Sequence, residues 1–235
     1  MDLTLKEIRQ ETPTVISLIF NKPDSFTFKP GQFLRWTYPV DPCDERCNSR
    51  SFSISSSPTE DYLMMTTRLG PSALKKALPQ LQNSSIVQIL GPMGRFILDE
   101  SQDPIVMLVG GVGITPLRSM IKYILDTKST RPITLLYSNT TAEEIAFKSE
   151  FDEWSANYLT LRVEYTITKP EESKTSWTGT VGRINEELIK KHLINLNGAQ
   201  YYTSGPLIMV QAMKELLKKL NVEEPRIHAE IFPGY

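Results

Sequence analysis

The stretch "VGGVGITPL", residues 109–117, joins the end of a strand to the start of a helix. The strand is the continuous apolar run "IVMLVGG" that begins at Ile105, the composition of a strand buried on both faces. It ends at Val109; glycines 110, 111 and 113 follow, and Thr115 and Pro116 open the helix. Glycines let a backbone approach a ligand closely, and a helix N-terminus presents free N–H groups and a positive dipole, which together suit a pyrophosphate. Pro116 stands where the G-x-G-x-x-G fingerprint has its third glycine, so this is not that fingerprint. Taken alone, the turn is also what a tight strand-to-helix connection needs.

Downstream, "TPLRSMIKYILDT" carries Leu117, Met120, Ile121, Ile124 and Leu125 at helical spacing. Strand and helix patterns then alternate through "PITLLYS", "LRVEYTI", "NEELIKKHLI", "QYYTSG", "PLIMVQAMKELLKKL" and "RIHAEIF". That alternation predicts an α/β domain on a parallel sheet, here expected to have five strands. A second loop of the same kind lies in "TSGPLIMVQAM", residues 203–213, where a strand from Gln200 to Thr203 meets a glycine and a helix starts at Pro206. Open parallel sheets bind ligands at this carboxyl edge.

Upstream, "TVISLIF", "GQFLRWTY", "RSFSIS", "DYLMMTTR" and "SIVQILG" are short β-rich runs separated by Pro, Gly, Asn and Asp, as in an antiparallel barrel. One helix, "PSALKKALPQL", begins at Pro71 and Ser72. The polar segment "LDESQDP", residues 98–104, marks the boundary, giving domains 1–100 and 101–235. In "SRSFSISSSP", residues 49–58, Phe52 and Ile54 alternate with Ser51, Ser53 and Ser55: one apolar face and one lined with small hydroxyls, behind Arg50. Such a face suits a thin, flat polar ring. In "RLGPSAL", residues 68–74, a strand runs through a glycine into a helix start at Ser72, a second phosphate-type cradle to which Arg50 and Arg68 can add charge-assisted contacts. Each arginine by itself reads as a solvated surface charge.

The 235 residues are 40% hydrophobic and 23% charged with a net charge of −1, so no bulk electrostatic pull toward nucleic acid or an anionic membrane is expected. No run approaches the roughly 20 apolar residues of a membrane helix, and the acid at position 2 is unlike a secretory signal, so a cytoplasmic protein without a membrane span is expected. Cys43 and Cys47 sit in a polar loop, are too few for a disulfide framework or a four-cysteine iron–sulfur cluster, and read as free thiols. With His192 and His228 distant in sequence, no metal site is expected.

The order "RSFSISSSP", "GPS", "GPMGRF", "GGVGITPL", "SGPLIM", "EIFPGY" resembles the ferredoxin–NADP reductase superfamily across residues 1–235. The resemblance implies an N-terminal antiparallel Greek-key β-barrel that binds flavin, FAD or in some branches FMN, followed by an NAD(P)-binding α/β domain. The family pattern Arg-x-Tyr-Ser/Thr falls on Arg50, Ser51, Phe52 and Ser53. It assigns Arg50 to the flavin pyrophosphate, Phe52 to packing on the isoalloxazine and Ser53 to a hydrogen bond near flavin N5. Phe52 lacks the family's tyrosine hydroxyl. Gly70, Pro71 and Ser72, with Thr67 and Arg68 before them, match the flavin-cradling helix start. Gly111, Gly113, Ile114 and Thr115 match the nicotinamide nucleotide's pyrophosphate loop. The later Cys-Gly-Pro loop is here Ser204, Gly205 and Pro206, and Glu230 matches a carboxylate near the nicotinamide. Phe232, with Tyr235 as its rival, matches the aromatic that shields the flavin. Ser53, Ser204, Glu230 and Phe232 thus form the expected catalytic set.

The implied activity is that of a stand-alone FAD-dependent NAD(P)H oxidoreductase passing electrons to a separate acceptor: ferredoxin, flavodoxin or a partner subunit. A flavin reductase with flavin as substrate and a non-catalytic flavin-binding regulatory subunit are the alternatives. As co-substrate, NADH is favoured over NADPH. The segment "YSNTTAEEIAF" has Asn139 and no arginine, and Glu143 or Glu144 can serve free ribose hydroxyls; Lys169 and Arg183 are the cations that could meet a phosphate instead.

Overall fold

A computed structural model describes residues 1–42, 44, 48–192 and 196–232; Cys43, Cys47 and Tyr235 lie outside the described residues. The chain separates into two compact units, Met1–Leu98 with Thr115–Asp126, and Asp99–Ile114 with Thr127–Tyr235.

The first unit is built on six antiparallel strands: β1 (Asp2–Thr12), β2 (Val15–Asn21), β3 (Phe33–Thr37), β4 (Ser49–Ser53), β5 (Tyr62–Arg68) and β6 (Ile86–Met93). They lie in the order β4-β3-β6-β1-β2-β5. A bridge between Ile54 and Met65, with Ser55 N–H donating to the Met64 carbonyl at 2.7 Å, brings the end of β4 onto β5 and closes the sheet. Leu18, Phe20, Leu34, Trp36, Ile54, Leu63 and Met65 fill the interior, with the Phe20 and Trp36 rings 5.0 Å apart. Such side chains contribute roughly 1.5–3 kcal/mol each when fully buried.

β1 was not anticipated. Leu3 and Leu5 point inward at strand spacing, but register shifts after Leu5 and Gln10 break the alternation that marks a strand in sequence. The helix expected at Pro71–Leu81 is α1 (Ala73–Ala77) continued by a 3₁₀ turn. Ser72 is its N-cap, accepting from the Lys75 N–H at 3.4 Å.

The second unit carries β7 (Ile105–Gly110), β8 (Ile133–Asn139), β9 (Leu161–Ile167), β10 (Thr180–Val181), β11 (Gln200–Gly205) and β12 (Ile227–Ile231). All pair in parallel in the order β10-β9-β8-β7-β11-β12. The sheet has six strands, not five: Thr180 and Val181 add a two-residue edge strand against Thr166 and Ile167, too short to leave a periodic trace. Helices α2 (Ile114–Asp126), α3 (Lys148–Asn157), α4 (Glu186–His192) and α5 (Leu207–Lys219) connect the strands, and Thr115–Asp126 of α2 groups with the first unit. From β7 the chain runs outward through β8 to β10, then returns to the other side of β7 as β11. That reversal is a topological switch point, and the loops after β7 and β11 flank it.

Candidate functional site

At the carboxyl edge of the parallel sheet, β7 ends in a 3₁₀ turn, Gly111–Gly113, that runs directly into α2. A Cβ on Gly113 would lie 2.3 Å from the Ser204 carbonyl oxygen and 2.7 Å from the Gly205 Cα, so this glycine is demanded by close approach to β11. Gly205 has a φ of +144°, which favours glycine, and its carbonyl accepts from the Phe232 N–H at 3.0 Å. Ser204 is 0% exposed, and its hydroxyl donates to the Gly113 carbonyl at 2.6 Å. Tyr137, also 0% exposed, donates its hydroxyl to the Gly111 carbonyl at 3.0 Å. Ile114 and Thr115 are enclosed, while Gly111 keeps partial exposure. Pro206 is the N-cap position of α5.

Glu230 pairs in register with Ser204 on the neighbouring strand. Its Oε2 is buried without a hydrogen-bond partner among the described residues, as is Thr203 Oγ1. Burial pushes the Glu230 carboxyl up to about 7. A backbone cradle with a buried, unsatisfied carboxyl beside it fits a ligand that carries both phosphates and a hydrogen-bonding ring. The structure therefore brings together Gly111, Gly113, Ile114, Ser204, Gly205, Glu230 and Phe232.

In the first unit, the hydroxyl-lined face expected of residues 49–58 is only half present. Ser55, Ser56 and Ser57 are buried; the Ser56 and Ser57 hydroxyls are turned to structural use, and the Ser55 hydroxyl has no hydrogen-bond partner among the described residues. The Ser56 hydroxyl accepts from the Met64 N–H at 3.0 Å, and Ser57 bonds Thr59 at 2.6 Å. The Ser55 and Ser56 carbonyls accept from Arg118 at 2.9 Å and the Ser119 hydroxyl at 2.6 Å. Ser51 is exposed. Ser53 is 5% exposed and leaves its hydroxyl available, while Phe52 packs against the barrel core.

Arg50 donates to both carboxylate oxygens of Asp44, at 2.8 and 3.0 Å. The same carboxylate accepts from the Ala73 N–H at 2.9 Å, immediately after Gly70, Pro71 and Ser72. Two elements expected to hold a pyrophosphate thus already converge on one anionic group, and the donor set fits an anion. Arg68 reaches the other way, donating to the Thr14 hydroxyl at 2.8 Å, and the Thr67 hydroxyl donates to the Arg68 carbonyl.

Sequence reasoning missed Asp44, Glu60, Arg118 and Tyr137. Arg118 carried the one visible signal, a cation amid the apolar stripe of α2. Its guanidinium forms a buried pair with Glu60. A separate cavity of about 420 Å³ in the second unit is lined by Glu143, Lys148, Tyr165, Thr175 and Trp177, among others. Glu143 there accepts from the Thr175 N–H at 2.8 Å, and Lys169 is paired with Glu172 at 2.7 Å. Among the described residues, no group of His, Cys, Asp and Glu could hold a metal ion, and no helix is long and apolar enough to cross a membrane.

Residues 107–215 match the family of the oxidoreductase NAD-binding domain. The chain is 29% identical over 232 residues to the glycine betaine monooxygenase reductase subunit of Chromohalobacter salexigens, covering 96% of this chain and 62% of that protein. Across the curated relatives it matches, this chain spans 51% to 62% of their length. Among solved structures, the flavohem-like FAD/NAD binding domain of nitric oxide dioxygenase from Vibrio cholerae superposes with a TM-score of 0.88 at 20% identity, covering 98% of both chains. A ferredoxin NADP+ reductase from Neisseria gonorrhoeae with bound FAD and NADP gives 0.82 at 20% identity, again covering 98% of both.

Proposed function

We propose that this chain is a member of the ferredoxin–NADP reductase superfamily, a flavin-dependent oxidoreductase that takes reducing equivalents from NADH and hands them to a separate redox protein; the NAD-binding match over residues 107–215 and the likeness of fold support the reading. The observation that carries the reading is the presence on one chain of two differently built nucleotide cradles. One is the switch-point turn Gly111–Gly113 held against Ser204 and Gly205; the other is the Arg50–Ser53 strand facing the Gly70–Ala73 segment. A bound flavin supplies the exchange between two-electron and one-electron chemistry.

The remaining steps belong to the protein. The Gly111–Thr115 turn and Pro206 loop hold the dinucleotide, and Arg50 with the Ala73 N–H holds the flavin's pyrophosphate. In the first unit, Ser53 would offer N5 a hydroxyl without adding charge and Phe52 would supply apolar surface for a flat ring; Phe232 would supply the same in the second. Glu230, half-protonated near neutrality, hydrogen-bonds the nicotinamide end. The adenosine end takes the cavity beside Trp177, where Glu143 accepts hydroxyl protons. Glu172 already meets the Lys169 charge, which disfavours use of that lysine for a 2′-phosphate and supports NADH. The acceptor we infer is a separate protein component, as the name of the Chromohalobacter relative implies for that protein.

One observation favours a second reading. Asp44 competes for the Arg50 donors, which would weaken flavin retention and let flavin act as a substrate that leaves. Anaerobic titration of the FAD-loaded protein with NADH and NADPH, followed by flavin absorbance, tests the first reading. Stoichiometric bleaching by NADH is expected, and flavin that stays oxidised with both nucleotides overturns it. Flavin that separates from the protein on gel filtration while free flavin is still reduced decides for the second.

A further inference from the structure

We infer that Tyr137 and Ser204 are a matched pair of positioning residues that brace the nucleotide loop from both sides, a step that rests on reading this sheet edge as the dinucleotide site. The loop follows β7, the strand between β8 and β11. Each neighbour contributes one hydroxyl: Tyr137 of β8 bonds the Gly111 carbonyl and Ser204 of β11 bonds the Gly113 carbonyl. A carbonyl oxygen carries partial negative charge, and a turn whose carbonyls face outward repels a phosphate. Tied back, neither carbonyl can swing toward an incoming anion.

Both anchors are fixed by their surroundings. The Tyr137 ring sits edge-on to Phe151 with centroids 6.5 Å apart, and 6.3 Å from Tyr165, so packing aims its hydroxyl. Ser204 is locked between Val109 and Glu230 in the sheet. The missing Cβ of Gly113 lets its backbone lie against Ser204, so the hydroxyl bond and the glycine contact act on the same point. Neither hydroxyl is accessible to solvent, so water cannot replace either bond without a rearrangement. On this assignment Ser204 acts through the loop and not by touching the substrate.

The test uses the full flavin-loaded chain and the variants Tyr137→Phe, Ser204→Ala, the double variant and Ser204→Cys. Equilibrium dissociation constants for NAD+ are measured by calorimetry, alongside flavin content, unfolding temperature and the steady-state constants for NADH. Each single variant is expected to weaken NAD+ binding about threefold to tenfold, the range for one neutral buried hydrogen bond. Flavin content should hold, and the loss should fall more on KM than on kcat. Both hydroxyls act on one loop, so the double variant should lose less than the product of the singles. Ser204→Cys, a weaker donor, should recover part of the loss. Variants that bind NAD+ as the wild type does overturn the brace alone. A wild-type protein that binds no NAD+ overturns the reading of the site and the brace with it. Should Ser204→Ala fail to fold, Tyr137→Phe, which removes one oxygen and keeps the ring, decides the matter.

Discussion

Replacing Arg118 with methionine should destabilise the first unit far more than a surface charge change would. Arg118 lies one turn after Thr115 on α2, and its side chain is 1% exposed against 9% for its partner Glu60. It donates to Glu60 Oε2 at 3.0 Å, to Glu60 Oε1 at 3.2 Å and to the Ser55 carbonyl at 2.9 Å. Methionine keeps most of the aliphatic volume and removes all three bonds. Glu60 would then be left a buried carboxylate whose remaining donors among the described residues are the Tyr62 hydroxyl at 2.6 Å and the Ser57 N–H at 2.7 Å. Removing one member of a buried pair costs about 3–5 kcal/mol, and in a chain of this size about 2–4 °C of Tm follows each kcal/mol. The first thermal transition should therefore fall by about 6–20 °C at neutral pH, read by circular dichroism. Burial pushes the Glu60 carboxyl up, but the charge and hydrogen bonds of Arg118, with those of Tyr62 and Ser57, outweigh it and hold the group below its ordinary value. A depressed folded pKa stabilises above the unfolded value and ceases to do so as pH falls through the folded one. The gap between wild type and variant should thus be full at neutral pH and shrink below about pH 4.5. The second change Glu60→Leu should recover most of the loss, since an apolar pair leaves no orphaned charge. A single variant melting within about 2 °C of wild type at neutral pH would refute the reasoning.

Ser53→Ala should keep its flavin and slow flavin reduction by NADH about tenfold in anaerobic stopped flow, and an unchanged rate removes Ser53 from the mechanism. Asp44→Asn should tighten FAD binding about threefold to tenfold by freeing Arg50 and the Ala73 N–H; weaker binding would show instead that Asp44 orients the arginine. Glu230→Gln should raise Tm at about pH 8 and lose that advantage below about pH 5. The folded carboxyl titrates near 7, above its ordinary value, so the native state holds a proton that the unfolded state releases and wild-type stability declines as pH rises through that window. A difference that grows toward low pH would contradict the burial of Glu230.

Local chemistry was legible in the sequence wherever it was self-sufficient. The apolar run into Gly110, the helix after Thr115, and the Gly205–Pro206 turn each declare themselves within a dozen residues, and each forms where expected. What stayed hidden depends on partners far along the chain. Ser51, Ser53 and Ser55 read as a hydroxyl face, yet the Ser55 carbonyl, like that of Ser56, is engaged by a side chain 63 residues away, Arg118 for the one and Ser119 for the other. Asp44 is only six positions from Arg50, but nothing local says that a loop acid will fold back onto both the arginine and the Ala73 N–H. β1 was obscured by its own register shifts, and α3 by a sequence whose apolar positions are few.

Position 204 shows how a family resemblance and a structure divide the work. The resemblance leads one to expect a thiol there, close to the reacting ring. The hydroxyl present instead is wholly enclosed and donates its proton to the Gly113 carbonyl. A group whose one donor is already engaged inside the fold is poorly placed to offer that proton to a substrate. One register position across, on β12, Glu230 has an oxygen with no hydrogen-bond partner among the described residues. A buried carboxyl left unsatisfied costs stability, by an amount a bound hydrogen-bonding ligand would offset. On the proposed reading, the polar contact to the nicotinamide falls to Glu230, and the shaping of the phosphate-carrying loop to Ser204. On that reading, Glu230→Gln shifts the pH dependence of hydride uptake while Ser204→Ala acts mainly on its dependence on nucleotide concentration. The two variants moving the same parameter would show that strand β11 and strand β12 do not divide these roles.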